Sequence, residues 1–225
     1  MTKLIQINIA ASNERIAPFA ERLPHIVSLI EGNAADIITV QAGLDRSGSD
    51  TPIDALTARL PAMPHVARAG GLALIARQPI DEARAVPLRH LGHPDDPFER
   101  QLLIVRLSNL ATAVAVAHLS WVGVQAEANI ADALGALSGM AELVLAGDFN
   151  QPPESPALGQ LTTAGFVDPW TRLRPDEAGY TYPMGAPASR IDYVLERGER
   201  PLIGAIDLIE GDLSDHAALI AEIHR

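Results

Sequence analysis

Apolar and polar residues alternate or cluster along this chain in a pattern that favours short strands. Apolar runs bounded by turn residues predict strands at 3–9, 36–41, 71–76, 102–107, 111–117, 142–146, 190–195, 202–208 and 217–223. A spacing of three to four residues predicts helices at 14–31, 51–60, 124–137 and 155–162. Pro18 and Pro24 interrupt the first helical segment, which we therefore expect to be kinked or split.

The balance of these elements indicates an α+β fold. Strands outnumber helices and several neighbouring strands are joined by short turns, so a purely parallel sheet is not expected. A mixed or antiparallel arrangement with outer helices fits better. Residues 89–100 and 173–187 are rich in Pro, Gly and Asp, which predicts loops. Because strands of similar composition resume after each loop, we expect a single domain over residues 1–225.

Composition narrows the classes of function. The chain has 225 residues and no cysteine, which excludes disulfides, thiolate metal sites and cysteine nucleophiles. Its 17 basic and 28 acidic residues give a net charge of −11, which disfavours tight binding to a nucleic-acid backbone without excluding a nucleic acid substrate. No signal peptide is evident, and no apolar stretch approaches the roughly 20 residues that span a bilayer. We therefore expect a cytoplasmic protein.

Four short segments place chemically active side chains at or near the ends of predicted strands. They are GDFN with Asp148 and Asn150, SDH with Asp215 and His216, RIDYVL with Asp192, and HLSW with His118. Residues two apart on an extended chain point the same way, so the first two side chains can face one substrate. Taken alone, each segment also fits a structural role, as a turn, an exposed pair, an ion pair or a structural histidine.

Taken in order, the segments resemble the endonuclease/exonuclease/phosphatase superfamily. The resemblance is carried by INI with Asn8, DIITVQ, GLALIARQPI, HLSW, GDFN, TYP followed by RIDYVL, and SDH. It implies a four-layer sandwich, in which two mixed β-sheets pack face to face with helices outside. It also implies hydrolysis of phosphomonoesters or phosphodiesters with Mg²⁺, or with Mn²⁺ or Ca²⁺.

The resemblance also implies roles for individual side chains. Asp148 is similar to the group that orients or deprotonates the attacking water, and Asn150 to an amide that supports the transition state. His216 is similar to an imidazole that contacts the scissile phosphate and is oriented by Asp192. His118 resembles a phosphate-contacting or acid histidine. Such a division of labour suits phosphoryl transfer, which needs positioning and charge stabilisation more than covalent chemistry.

The substrate implied by the resemblance is a phosphorylated small molecule or a nucleic acid. Arg100 is similar to a phosphate-binding arginine and joins Asn150 and His118 as a candidate substrate-binding residue. Long DNA-binding loops are not evident and the basic residues are scattered along the chain. With the acidic balance, this favours a small phosphoester over duplex DNA. The sequence gives no indication of an oligomeric state.

The pattern breaks at the main metal ligand. Where the family has a glutamate after its second strand, this chain has Ala42, which offers no side-chain oxygen. The resemblance leaves Asn8 and Asp215 as metal ligands. Either another acid such as Asp45 or Asp36 substitutes, or these two ligands and substrate oxygens suffice, or catalysis is impaired. If catalysis is impaired, we expect the protein to bind a phosphorylated ligand or a partner protein. If the structure lacks two packed sheets, the resemblance fails and the chain is an α/β domain of unknown role.

Overall fold

The computed structural model describes residues 1–224, which form eleven strands and five helices. The strands are β1 (Thr2–Asn8), β2 (Ile37–Gln41), β3 (His65–Ala69), β4 (Leu72–Ala76), β5 (Ile80–Leu88), β6 (Arg100–Leu107), β7 (Ala113–His118), β8 (Leu143–Asp148), β9 (Asp192–Arg197), β10 (Ile203–Ile209) and β11 (Ala218–Ile223). The helices are α1 (Phe19–Gly32), α2 (Thr51–Ala58), α3 (Gly123–Ala136), α4 (Pro156–Thr163) and α5 (Pro169–Leu173). Among these helices, none combines the length and hydropathy that crossing a bilayer requires.

The strands form two mixed sheets. One has six strands in the order β10-β11-β1-β2-β4-β3, and the other has five in the order β5-β6-β7-β8-β9. Each sheet contains one parallel pair, β1 with β2 and β7 with β8, and its remaining neighbours are antiparallel. The expected absence of a purely parallel sheet is therefore confirmed.

Three apolar layers hold these elements together. The central layer joins the inner faces of both sheets and includes Leu4, Leu74, Val105 and Val144. A second layer packs α1 and α2 on the six-stranded sheet, and a third packs α3 and α4 on the five-stranded sheet. The resulting order of helices, sheet, sheet and helices confirms the predicted four-layer sandwich.

Alternation along the strands determines which side chains enter the central layer. On β1, Ile5 and Ile7 belong to the layer beneath the helices, whereas Leu4 faces the other sheet. Gln6 and Asn8 share the inward direction of Leu4, because side chains two apart on a strand point to the same face. The inner face therefore changes from apolar to polar toward one end of the sandwich.

The predicted elements agree well with the observed ones. Every predicted strand is present with its ends shifted by at most two residues, and three of the four predicted helices are similarly placed. The first helix was predicted with the wrong start: it begins at Phe19, because Pro18 occupies the capping position before the first turn, and it continues unsplit through Pro24. Strands β3 and β5 and the short helix α5 were missed. Both strands lie at sheet edges, where many side chains are exposed to solvent and some are charged. Their sequences therefore lack a clear alternation of apolar and polar residues.

Gly147 allows the parallel strands β7 and β8 to approach each other closely just before Asp148. A Cβ atom built on Gly147 would lie 1.9 Å from the Ala117 carbonyl oxygen, and the glycine φ is 154°. That space is filled by backbone, which has little freedom to move. Only glycine therefore fits at this position.

We predict that Gly147→Ala lowers the free energy of unfolding by about 3 kcal/mol, since the added methyl group must displace backbone. Gly159→Ala is the matched control, because no atom lies within 4 Å of a Cβ there. The control should be neutral or stabilising by up to about 1 kcal/mol, as expected for glycine in a helix. Urea unfolding of both variants measures the difference. Equal stabilities would contradict the close approach of the strands.

Candidate active site

Polar side chains from both sheets meet at one end of the central layer. In the five-stranded sheet, His118 at the end of β7 pairs in register with Asp148 at the end of β8. Asp148 in turn pairs with Asp192, the first residue of β9. His216 comes from the segment just before β11 in the other sheet and reaches the same row. Strand register thus places three of these side chains side by side, and the packing of the two sheets brings His216 to them.

Asp192 and His216 form a buried, hydrogen-bonded ion pair. His216 Nδ1 donates to Asp192 Oδ2 at 2.8 Å, and both side chains are buried. Gln6 Nε2 donates to the other oxygen of Asp192 at 3.1 Å. Burial opposes the charged imidazole, but the Asp192 carboxylate outweighs this and the pKa of His216 rises to about 9. His216 is therefore cationic at neutral pH.

Asp148 is held by both of its carboxylate oxygens. Oδ2 accepts a hydrogen bond from Asn8 Nδ2 at 2.8 Å, and Oδ1 accepts one from the Asn150 backbone N–H at 2.9 Å. Its Oδ2 lies 3.5 Å from His118 Nε2 and 3.8 Å from His216 Nε2. Burial, followed by the negative charge of Asp192, raises the pKa of Asp148. The carboxylate thus has an increased affinity for a proton and a fixed orientation.

The two histidines next to Asp148 differ in charge. Burial lowers the pKa of His118 to about 4. The negative charge of Asp148 opposes this shift, whereas the positive charges of Arg100 and His216 add to it. His118 is therefore neutral at neutral pH, while His216 is protonated. Groups whose environments move their pKa values apart are suited to different proton-transfer roles.

Two further predicted residues border the cluster without entering it. Asn150 Nδ2 donates one hydrogen to the Leu119 carbonyl at 3.0 Å, which leaves its second amide hydrogen for a ligand. Arg100 Nη2 forms an ion pair with Asp96 at 3.1 Å and lines a cavity that also includes His118. Arg100 therefore lies where a substrate bound at His118 would extend.

The sequence interpretation missed Gln6, which connects the two sheets. Its Nε2 donates to Gln41 Oε1 at 2.7 Å as well as to Asp192. Gln6 and Gln41 are fully buried, and within residues 1–224 neither Gln6 Oε1 nor Gln41 Nε2 has a hydrogen-bond partner. The signal was present in the sequence, since alternation in KLIQINI puts this glutamine on the same face as Leu4.

The central cluster also offers a donor set that fits a divalent cation. Asp148, Asp192 and His216 each provide a ligand atom, and these atoms lie within 4.8 Å of one another. Two carboxylates and one imidazole suit a hard or borderline divalent ion. The unpartnered Oε1 of Gln6 adds an oxygen without a hydrogen bond next to Asp192. These residues could therefore hold the metal ion that the family resemblance implies.

The two metal ligands predicted from the sequence lie outside this group of three. Asn8 contacts Asp148 through Nδ2, while its Oδ1 accepts from the Ala10 backbone N–H at 2.9 Å. Asp215 accepts from Asn13 Nδ2 at 2.7 Å and lines a separate cavity of about 850 Å³. Asn8 thus belongs to the cluster through its amide nitrogen, and a role for either residue as a metal ligand stays a prediction.

Neither of the acids near Ala42 in sequence joins the group. Asp36 lies at the opposite end of β2, where its Oδ2 accepts from the Lys3 backbone N–H at 2.9 Å. Asp45 closes its own loop by accepting from the Ser47 backbone N–H at 2.8 Å. Ala42 itself is half-buried with a φ of 51°, at the end of β2. Asp36 is therefore too far along the strand to replace the family's glutamate, whereas Asp45 lines the same cavity as Ala42 without joining the group of Asp148, Asp192 and His216.

Comparison with known proteins identifies relatives of this arrangement. A model of the Endonuclease/Exonuclease/phosphatase family matches residues 5–216. No curated protein sequence gives a significant match.

Solved structures share the fold at low sequence identity. A 3′-5′ exonuclease, NExo from Neisseria meningitidis, is 20% identical with a TM-score of 0.74, and 99% of each chain is covered. NExo from Neisseria, described as a 3′ phosphatase bound to product DNA hairpin, is 20% identical with a TM-score of 0.75 and full coverage of both chains at 100%. A functionally unknown conserved protein from Enterococcus faecalis is 17% identical with a TM-score of 0.78, covering 99% of each chain. At such identities the likeness shows the fold alone.

We predict strong coupling between Asp192 and His216 in a double-mutant cycle of Asp192→Asn and His216→Gln. Each single change leaves a buried polar partner unmatched, so the coupling free energy should be about 1–3 kcal/mol. Urea unfolding in the presence of a chelator measures it without a contribution from bound ions. Asp192→Asn combined with Glu82→Gln, on the exposed edge strand β5, should be additive within about 0.5 kcal/mol. Additivity in the first cycle would contradict the ion pair.

Proposed function

Because the chain belongs to the endonuclease/exonuclease/phosphatase family, we propose that it hydrolyses phosphoester bonds, with Asp148, Asp192 and His216 at the reacting phosphate. The observation that carries the proposal is the buried, hydrogen-bonded cluster of these three residues at the end of the central layer. Structural neighbours described as an exonuclease and a 3′ phosphatase support a phosphorylated substrate. The bond is a phosphomonoester or a phosphodiester, in a small molecule or a nucleic acid.

Asp148 is the proposed acceptor of the proton from the attacking water. Its raised pKa gives it a greater affinity for that proton than an exposed aspartate has. Hydrogen bonds from Asn8 and from the Asn150 backbone fix both oxygens, so the water is held in one direction. In-line attack on phosphorus depends on such positioning.

His216 and its neighbours are the proposed binding groups for the phosphate. With Nδ1 held by Asp192, the imidazolium directs Nε2 toward the row that contains Asp148, where it can donate to a phosphoryl oxygen. Asn150 adds its remaining amide hydrogen. Neutral His118, close to Asp148, is placed to hydrogen-bond the phosphate or to exchange a proton with the leaving oxygen. Arg100, which is paired with Asp96, is the proposed substrate-binding residue in the cavity beside His118.

The two buried carboxylates require a neighbouring positive charge, which either the His216 imidazolium or a bound cation supplies. The Asp148 and Asp192 carboxylates would hold that cation, joined by His216 only when its imidazole is neutral and no longer donates from Nε2, and we propose Mg²⁺, with Mn²⁺ or Ca²⁺ as alternatives. When bound, such an ion supplies Lewis-acid stabilisation of charge on phosphoryl oxygens.

A second candidate function is favoured by Ala42. A family member that lacks the glutamate at this position would bind a metal ion weakly and turn over slowly. Such a protein would act by binding a phosphorylated ligand or a partner protein. The unpartnered atoms of Gln6 and Gln41 beside the cluster are consistent with a site that has lost one of its polar groups.

We predict that Asp148→Asn reduces kcat/KM by about 10²- to 10⁴-fold, the usual contribution of a general base. The assay follows hydrolysis of p-nitrophenyl phosphate and bis(p-nitrophenyl) phosphate with Mg²⁺ or Mn²⁺. Asp176→Asn removes an exposed carboxylate elsewhere and serves as the matched control. Absence of metal-dependent turnover in the natural sequence, or turnover that survives Asp148→Asn, would refute the proposed chemistry.

Substitution at position 42 separates the two candidates. If catalysis is impaired, Ala42→Glu should raise metal-dependent kcat/KM at least about tenfold, since it adds a carboxylate ligand. Ala42→Gln has the same size and the same backbone conformation but no charge, and it should not reproduce the gain. If Ala42→Glu and the natural sequence are equally active, the impaired form is excluded and the active hydrolase stands.

A further inference from the structure

A cavity of about 550 Å³ opens beside the candidate active site. Its wall includes His118, whose Nε2 lies 3.5 Å from Asp148 Oδ2, and Ala42 at the end of β2. A group bound there would be adjacent to a phosphate bound at His118. The cavity is larger than a phosphate group, so its remaining walls would contact the rest of the substrate.

Two exposed aromatic rings form one side of this cavity. Phe98 is 57% exposed and Trp121 is 46% exposed, and both line it. Their ring centroids are 5.9 Å apart in an edge-to-face arrangement. By contrast, Trp170, the other tryptophan, is only 4% exposed. A pair of large apolar rings left open to solvent next to a polar site marks a binding surface.

Arg100 lies behind the two rings with one donor unused. Its guanidinium carbon is 5.2 Å from the centroid of the Trp121 ring and 5.7 Å from that of Phe98. The side chain is 7% exposed and its Nη2 is paired with Asp96, but within residues 1–224 its Nε has no hydrogen-bond partner. Arg100 therefore supports both rings from their sides through cation–π contacts.

We infer that this cavity is a stacking subsite for an unpaired aromatic base attached to the phosphoester. A nucleobase has a flat face to stack on Trp121 or Phe98, next to the guanidinium that contacts both rings. The inference rests on the proposed function and deepens it, because it names the class of substrate. A base inside a duplex is already stacked and cannot enter without being extruded. The net charge of −11 further favours a short substrate over a long backbone.

Tryptophan fluorescence tests the subsite without requiring catalysis. Adenosine 5′-monophosphate and ribose 5-phosphate differ only in the base, and each is titrated onto the full chain. The nucleotide should quench the emission and bind about tenfold more tightly than the sugar phosphate, as stacking on an aromatic side chain provides. Trp121→Phe retains the buried Trp170 and should abolish the quenching. Equal affinities, or quenching that persists in Trp121→Phe, would overturn the subsite.

Calorimetric titration of alanine variants checks the rings directly. Trp121→Ala and Phe98→Ala should each weaken nucleotide binding by about 5- to 10-fold, whereas the preference for the nucleotide over ribose 5-phosphate falls toward one. Trp121→Phe, which keeps a ring, should restore part of that preference. Val124→Ala, an exposed apolar residue outside the cavity, is the control and should leave both affinities unchanged. A preference unaffected by both ring removals would contradict the inference.

Turnover assays distinguish failure of the subsite from failure of the proposed function. Base-selective binding without phosphate release from any ester would support the subsite and refute the hydrolase. Phosphate release at equal KM from the nucleotide and the sugar phosphate would support the hydrolase and refute the subsite.

A single-stranded oligonucleotide with a terminal phosphate, compared with the mononucleotide, identifies which source of the base binds more tightly. A duplex that binds as tightly as the single strand would overturn the requirement for an unpaired base.

Discussion

The ion pair of Asp192 with His216, buried between two packed sheets, is the interaction on which the rest of the site depends. Two carboxylates, Asp148 and Asp192, lie side by side with almost no access to water. Such a pair is tolerable only when positive charge and hydrogen-bond donors compensate for lost solvation. His216 supplies the charge, and the amides of Gln6 and Asn8 supply donors from the opposite sheet. Burial and the negative charge of Asp192 outweigh this compensation, so the pKa of Asp148 stays raised, which is useful to a base.

The sandwich supplies this arrangement through strand ends. The segments just after β1, β2 and β8 each contain a residue other than glycine with a positive φ, namely Ala10, Ala42 and Asn150. These left-handed residues turn the chain sharply where the polar side chains begin, and such conformations cost free energy. Burial of the apolar layers offsets that cost. Within residues 1–224, three of the five non-glycine residues with a positive φ therefore lie at the end of the sandwich where the chemistry is proposed, and the other two are Ala34, before β2, and Asn109, between β6 and β7.

Much of the fold, and the core of the site, could be predicted from the sequence because both follow from local patterns. Apolar periodicity located the central strands, and the ordered motifs around Asp148, Asp192 and His216 located side chains that do converge. Edge strands β3 and β5 could not be found, since their solvent-facing sides carry charged residues. The cavities that contain Asp215 and Arg100 were also beyond the sequence, because they depend on how distant loops pack. The inward orientation of Gln6 was predictable in principle, because it is a polar residue on the same face of β1 as the buried Leu4.

The central claim is that one cluster, built from both sheets, binds the reacting phosphate. A crystal structure determined after soaking with inorganic phosphate and Mn²⁺ would test it most directly. The account predicts a phosphate within hydrogen-bond distance of His216 Nε2 and the Asn150 amide, next to the Asp148 carboxylate. A phosphate ordered elsewhere on the molecule, with the side chains of this cluster still paired only with each other, would contradict it.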